Sequence, residues 1–517
     1  MLYILAITSS LLLFLASPGE FFWAPLMWVA LVPLLLAVDK CQLRQAAIIG
    51  FFCGILYYIP LLYWILIVLG KYGHLPLLIS VPALTLLSAY MALYLAVFCA
   101  GLAWAKKRPS MLWFAPMLWV ALDFSRAHIF TGFPWMDLGY SQYRNPLLIQ
   151  LADLTGHHGI TFLIVLVNCM IFLIIRRFQQ LNSRSLVREF LPAALILIAA
   201  FSYSLARFHM IEDAIRMSPR INTRIVQGNI DQSKKWLPAM REQTVHDYLA
   251  MSKPPATRND PDLLIWPETA LPFFPIGNPL FKQIEKSLLK PNGPVFITGA
   301  PHFVASSETK KISYYNSAFI FEPVQGKSSK NKAIYSTARY DKQHLVPFGE
   351  YIPFNRYLPS SMPLVESVGN FSPGRSLEPI SCHNAKIGVL ICYESIFPDL
   401  ARQEVTNGAN LLVNLTNDGW YGKSSAPWQQ LAMVVLRAVE NRKSLARAAN
   451  TGISCFIDPL GNQMELSPLF KPFAMTAELP LLEGLSPFNK YGHFFPVLCL
   501  LGLIPWAFWI QRKSNRP

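Results

Sequence analysis

A multispan α-helical membrane domain of about eight transmembrane helices, joined to one layered α/β domain, is the architecture this sequence predicts. Two observations predict it. The 517-residue chain is 53% hydrophobic and only 15% charged, with a mean hydropathy of +0.33, too apolar for a wholly soluble globular protein. That apolarity is concentrated towards the two ends, whereas residues 218–486 read as short buried strands alternating with helices.

The apolar segments come first. Leu2 to Ala16 lacks a basic leading region and reads as a first span, with Ala16-Ser17-Pro18 keeping a cleaved signal peptide as the alternative. Further stretches run near 21–38, 46–69, 76–104, 110–126, 159–175, 189–206 and 488–511. A hydrocarbon core of roughly 30 Å asks for about 20 residues in each. Basic residues gather in alternate loops: Lys40 and Arg44, then Lys106, Lys107 and Arg108, then Arg176, Arg177, Arg184 and Arg188, and finally Arg512, Lys513 and Arg516. These loops should be cytoplasmic, which puts residues 218–486 on the opposite side. The expected division is a seven-span membrane domain over 1–217, an extracytoplasmic domain over 218–486, and a final transmembrane helix with a cytoplasmic tail over 487–517.

The 45 Lys and Arg against 30 Asp and Glu give +15, which in a membrane protein reflects orientation and anionic headgroups. No Arg-rich recognition helix or stacking-aromatic motif supports a nucleic-acid partner. The eight cysteines are scattered without a CxxC pair, which argues against zinc and disulfide frameworks.

Within 218–486, β-branched apolar runs ending in polar or turn residues read as strands: Thr223–Val226, Leu263–Trp266, Val295–Thr298, Ser317–Phe321, Ile387–Ile391, Leu411–Leu415 and Ser454–Ile457. Helices are expected over Arg241–Met251, Pro279–Leu289, Phe397–Asn407 and Trp428–Arg447, with Lys253–Pro261 a connecting loop.

Three stretches carry polar groups at or just beyond strand ends, where side chains of layered α/β domains converge. LLIWPETALP carries Glu268, ARYDKQHLVPFGEYIP carries Lys342 and Glu350, and IGVLICYESIFPD carries Cys392 and Glu394. Singly, each reads as a buried thiol or a solvated charge. Together they make a chemically complete set: a thiol to attack a carbonyl, a carboxylate to take its proton, and an ammonium to stabilise the oxyanion. Histidine is the more familiar partner of a catalytic cysteine, and His344 is better placed than His302 or His383, but nothing around it suggests a Cys-His pair. No HExxH, Walker loop, GxSxG or GxGxxG is present, and neither a cofactor nor a metal is expected.

WPET, YDKQHLVPFGEY and GVLICYE, in that order, resemble the Glu-Lys-Cys signature of the nitrilase superfamily. The membrane spans, HLVPFGEY, QGNIDQSKKW and NLTNDGWYG resemble its apolipoprotein N-acyltransferase branch, found in bacterial inner membranes. The resemblance implies an α-β-β-α sandwich for residues 218–486, on the periplasmic side. It implies an acyl chain moved from a membrane phospholipid, through a thioester, to the N-terminal amine of a diacylglyceryl apolipoprotein. By the same resemblance Cys392 is the nucleophile, Glu268 the general base and Lys342 the group facing the oxyanion. Glu350 supports the lysine, Tyr393 and Glu394 shape the acyl pocket, Asn316 and Trp420 line it, and Trp236 matches a substrate-binding aromatic on a mobile loop over it. Asn450-Thr451-Gly452 departs from the Asn-Asn-Gly of some members. Phe273, Phe274, Leu358, Met362, Leu364 and Val365 are candidates to meet the lipid, and a monomer is expected.

Two rival readings remain at this stage. One is a membrane-tethered amidase using the same triad on small amides. The other is a transporter with a binding domain, which expects charged residues lining a path through the spans; Asp123 and Arg126 lie only near a span end.

Overall fold

The computed structural model describes residues 1–105, 111–180, 186–254, 260–305, 312–323, 335–353, 370–375 and 378–514. Lys106, Lys107, Arg108, Arg184, Leu358, Met362, Leu364, Val365 and Arg516 therefore lie outside the described residues, as does part of the Lys253–Pro261 loop. The chain divides into two compact units. Met1–Met210, Ser424–Leu436 and Ser486–Pro517 form one, and Ile211–Lys423 with Arg437–Leu485 form the other.

The first unit is helical. Among the described residues, four helices are long and apolar enough to cross a membrane: Leu43–Leu61, Leu77–Ala105, His157–Phe178 and Phe190–Met217. Leu2–Leu15 and Phe494–Pro505 are shorter apolar helices. The expected continuous span over 21–38 is broken: a 3₁₀ turn over Ala24–Trp28 is followed by a separate helix over Val32–Val38, each with a proline in its first turn. Among the described residues, four of the eight expected spans, those near 46–69, 76–104, 159–175 and 189–206, correspond to helices that qualify by length and composition.

Two of these helices pack closely because glycine faces them. A Cβ on Gly54 would lie 2.7 Å from the Ala92 Cβ, and one on Gly50 would lie 2.5 Å from the Leu95 carbonyl oxygen. Charges buried in this unit are mutually engaged. Arg126 contacts Asp123 at 3.1 Å, Asp137 and the Tyr58 hydroxyl, and His157 Nε2 lies 2.8 Å from Asp137. Such pairing is what a low-dielectric interior demands of ionised groups.

Among the described residues, the second unit holds two six-stranded sheets. In the first, β1 (Arg220–Gln227), β2 (Leu263–Ile265) and β3 (Val295–Ala305) run parallel, extended by antiparallel β4 (Ile312–Pro323) and β5 (Tyr335–Asp341). In the second, β6 (Ile380–Cys382) pairs antiparallel with β7 (Ala385–Ile391), and β7, β8 (Leu411–Thr416) and β9 (Ser444–Ala449) run parallel. β10 (Cys455–Ile457) and β11 (Gln463–Met464) extend this sheet, while β12 (Phe473–Pro480) crosses back to pair antiparallel with β1.

The strand period of two decides the layers. Ile225, Ile265, Ile297 and Ile320 of one sheet share a core with Val389, Ile391, Val413, Leu415, Ala446 and Ala448 of the other. Their neighbours Val226, Leu264, Phe296 and Phe319 face the opposite way, into a second core with Val245 and Tyr248 of the helix Arg241–Ser252 and Ile284 of Phe281–Leu288. On the other sheet, Gly388 of β7 lets Pro398–Thr406 approach so closely that a Cβ would lie 2.7 Å from the Glu404 Cβ. The layers are therefore helix, sheet, sheet, helix.

The predicted helix over Trp428–Arg447 is corrected. It runs from Ala426 to Asn441, turns at Arg442 with φ +53, and the chain re-enters the sheet as β9, paired in parallel with β8. Leu, Ala and Arg favour a helix at Ser444–Ala449, but the completely buried slot beside β8 overrides that preference.

Candidate active site

Parallel strands bring their carboxyl ends to one edge of each sheet, and the polar residues follow them. Trp266 and Pro267 carry the chain from β2 to Glu268, which is 6% exposed. Gly299 of β3 makes this turn possible: a Cβ there would lie 2.6 Å from the Glu268 Cα and 2.3 Å from the Thr269 nitrogen. Lys342 follows β5 and is held on both sides of its backbone, its N–H donating to the Asn316 carbonyl (2.9 Å) and its carbonyl accepting from Gly374 (2.8 Å).

Four of the predicted residues meet through short contacts. The Lys342 ammonium donates to Glu350 at 2.9 Å and lies 3.9 Å from Glu268 Oε1. Asn316 Nδ2 donates to Glu268 Oε1 and to Glu350 Oε1, both at 2.8 Å. Glu350 is itself fixed by the Val346 N–H at 2.9 Å. This leaves Glu268 Oε2 buried and, among the described residues, without a hydrogen-bond partner.

Cys392 begins the turn after β7 with φ +50, a left-handed conformation that costs a non-glycine residue about 1–3 kcal/mol and occurs preferentially at functional sites. The following residue but one secures the turn. Glu394 is completely buried and accepts hydrogen bonds from the backbone N–H groups of Ile391 (2.6 Å), Gln343 (2.6 Å) and His344 (3.1 Å), and from the Tyr340 hydroxyl. It ties the cysteine turn to the segment that carries Lys342. Tyr393 packs edge-on against Phe397, and the His344 and Phe397 ring centroids lie 4.0 Å apart.

Electrostatics follow from burial. Burial pushes the Cys392 thiol up to about 12, helped by the charge of Glu268 and opposed by Lys342 and a hydrogen bond with Thr416. Lys342 alone therefore does not make the resting sulfur a thiolate. Burial also raises the Glu268 carboxyl, against the pull of Lys342. For Lys342 burial works against the charge, but Glu350 and Glu268 outweigh it and hold the ammonium well above the ordinary lysine range. A neutral thiol beside a carboxylate of raised basicity, facing a permanent cation, is a pair able to pass a proton as a carbonyl is attacked.

Trp236 and Trp420 are 45% and 41% exposed. Trp236 lines a cavity of about 520 Å³ with Phe273, Phe274, Tyr314 and Phe371. Of the residues expected to meet lipid, Phe273 is buried and Phe274 half-exposed.

The sequence reading missed Lys235. It is 1% exposed, and its ammonium donates to the Glu268 carbonyl oxygen (3.1 Å) and the Thr269 hydroxyl (2.6 Å), fixing the turn where Thr269 adopts φ +46. Burial lowers it to about 8, against the charge of Glu268. Its one sequence signal was its place beside Trp236 in QGNIDQSKKW. That loop is anchored by two others: Asn450 binds both the N–H (3.0 Å) and the carbonyl (2.8 Å) of Ile230, and Asn417 donates to Gln232 at 2.7 Å. Beneath Cys392, Thr416 donates to Asp418 (2.9 Å), which pairs with the buried Arg447 (3.0 Å). Gly452 is required there, because a Cβ would lie 1.8 Å from Asp418 Oδ2.

Residues 9–170 match the family model described as apolipoprotein N-acyltransferase N-terminal domain, and residues 222–481 match that of carbon-nitrogen hydrolase. A relative from Geobacter metallireducens, named apolipoprotein N-acyltransferase, is 40% identical over 99% of this chain and 96% of its own length. One of the same name from Haemophilus influenzae is 31% identical over 99% and 96%. Among solved structures, an amidase from Nesterenkonia sp. aligns with 51% of this chain and 93% of its own at 17% identity and a TM-score of 0.34.

Proposed function

The chain belongs to the apolipoprotein N-acyltransferase family, and from that premise we propose how its residues carry out lipoprotein N-acylation. The enzyme transfers an acyl chain to the N-terminal amine of a lipoprotein. Its donor is a membrane phospholipid and its acceptor a diacylglyceryl apolipoprotein. Cys392 is the acyl carrier, Glu268 the base and Lys342 the cation facing the oxyanion.

In the first half-reaction the Cys392 sulfur attacks the ester carbonyl carbon as Glu268 takes the thiol proton. The tetrahedral oxyanion is stabilised by Lys342. The carbon–oxygen bond then breaks, the departing lysophospholipid oxygen receives the proton from Glu268, and a thioester remains. In the second, the lipoprotein amine attacks that thioester, Glu268 accepts its proton, and the carbon–sulfur bond breaks to give an amide and the free thiol. Ping-pong kinetics follow. Glu350 and Asn316 position Lys342 and Glu268; Glu394 holds the cysteine turn.

One observation carries this reading: a buried carboxylate oxygen, Glu268 Oε2, left unpartnered among the described residues while its twin is fixed by Asn316 beside Lys342. Both substrates are held by acyl chains, so a membrane-embedded enzyme meets them where they reside. The finer assignments are part of the proposal: eight spans in a bacterial inner membrane, residues 218–486 on the periplasmic side between 1–217 and 487–517, and a monomer. The small-amide hydrolase is not favoured, because the acyltransferase family match extends over the helical unit as well.

The test is an incubation with phospholipid and a diacylglyceryl peptide bearing a free or a blocked amine. An N-acylated peptide and an equal amount of lysophospholipid, from the free amine only, are expected. Lipid-independent ammonia release from small amides, without peptide acylation, would overturn the assignment.

A further inference from the structure

The cavity beside the site carries a feature the acyl-transfer chemistry leaves unused. Trp236, Phe273, Phe274, Tyr314 and Phe371 give it an apolar wall, and Arg241 is the one charged side chain among its described lining residues. Among the described residues the Arg241 guanidinium makes no ion pair or hydrogen bond, and its Nε is buried without a partner. The Arg241 side chain is part-exposed but its Nε is buried, so a charged donor stands at the cavity wall with its acceptor still to be supplied, and an acceptor there is worth a charge-assisted hydrogen bond.

The cavity adjoins the reacting groups by covalent and backbone links. Trp236 follows Lys235, whose ammonium binds the Glu268 carbonyl. Tyr314 stands two residues before Asn316 on β4, and Pro301 of the lining is the cross-strand partner of Asn316. The Phe371 N–H donates to the Glu350 carbonyl at 3.0 Å.

A planar guanidinium in an apolar wall selects an oxyanion with two or more acceptor oxygens. Of the two substrates, the donor has such a group, a phosphodiester separated from the scissile ester by the glycerol backbone. The reacting head of the acceptor offers an amine and a thioether and no anion. Building on the acyl-transfer reading, we propose that Arg241 binds the phosphodiester of the phospholipid donor and so acts in the first half-reaction alone. The aromatic wall then takes the glycerol and the start of the acyl chain.

The experiment measures the two half-reactions separately on the full-length protein in detergent micelles. Acyl-enzyme formation is followed by intact mass with a phospholipid and with an uncharged acyl ester of the same chain length, and discharge of the preformed thioester is followed with a diacylglyceryl peptide. For Arg241→Met, acylation by phospholipid is expected to fall about 10- to 100-fold, acylation by the uncharged ester by a much smaller factor, and discharge to stay within the spread of the wild type. Arg241→Lys, which restores the charge without the fork, should recover part of the phospholipid rate. Equal losses with both donors would mean a structural arginine, a loss confined to discharge would mean an acceptor contact, and no loss would mean no contact; each overturns the assignment. If the wild type forms no acyl-enzyme with either donor, the acyl-transfer reading itself falls, an outcome distinct from those three.

Discussion

Lys235 and Lys342 hold the same glutamate from two directions, one at its main chain and one 3.9 Å from its carboxylate. Burial works against both charges, but among the described residues only Lys342 of the two has a carboxylate in direct contact, Glu350 at 2.9 Å, so Lys342 is raised where Lys235 is lowered. Replacing Lys235 by Met removes two hydrogen bonds from the turn that carries the base, and acyl-enzyme formation should fall by about tenfold or more. Stability offers an independent readout. The Lys235 ammonium titrates near 10.5 when unfolded and near 8 when folded, so between these values the unfolded chain binds more protons and stability rises with pH. The contribution is complete above the unfolded value and lost as pH falls through the folded one. The wild type should therefore gain thermal stability relative to Lys235→Met between about pH 8 and pH 10.5; parallel curves would contradict a buried lysine. In the sequence Lys235 looked like a solvated charge in a polar stretch, since nothing local shows that Asn450 and Asn417 draw its loop into the domain.

The elements were legible where periodicity and burial agree. The apolar runs Leu263–Trp266, Ile387–Ile391 and Leu411–Leu415 correspond to central parallel strands. They were not legible where pairing decides: β9 carries a helix-favouring sequence, and β5 and β12 are recognisable only through their partners β4 and β1. Gly299 belongs to the same class, an ordinary strand glycine by sequence whose missing side chain makes room for the Glu268 turn. Gly299→Ala should cost about 1–3 kcal/mol of stability through overpacking and reduce acyl-enzyme formation more than a distant change of equal stability cost. Unaltered acylation would show that the turn tolerates displacement. Glu394→Gln tests the other turn, because an amide cannot accept from the N–H groups of Ile391, Gln343 and His344 as two carboxylate oxygens do. Loss of acylation with the protein still folded is expected, and wild-type rates would contradict a positioning role.

At the scale of the whole molecule, Ser424–Leu436 leaves the α/β unit between β8 and β9 and belongs to the helical one. Gln429 fixes it there, accepting from the indoles of Trp64 (3.1 Å) and Trp135 (2.8 Å) and donating to the Leu61 carbonyl (3.1 Å). Gln429→Leu should lower the thermal midpoint in detergent, at roughly 1–3 kcal/mol for each buried hydrogen-bond partner removed; an unchanged midpoint would contradict that anchoring. No reading of local sequence exposes such threading, because it depends on contacts between positions some 300 to 365 residues apart. For the same reason the sequence alone could not join Glu268, Lys342 and Cys392, which lie on different strand ends. Their joint chemistry is tested by intact-mass spectrometry of the purified protein after incubation with phospholipid, beside Cys392→Ala. One fatty-acyl mass on the wild type, none on the variant, and its discharge by a diacylglyceryl peptide with a free amine are expected. An adduct that persists in Cys392→Ala, or a wild type that transfers acyl chains without ever carrying one, would contradict it.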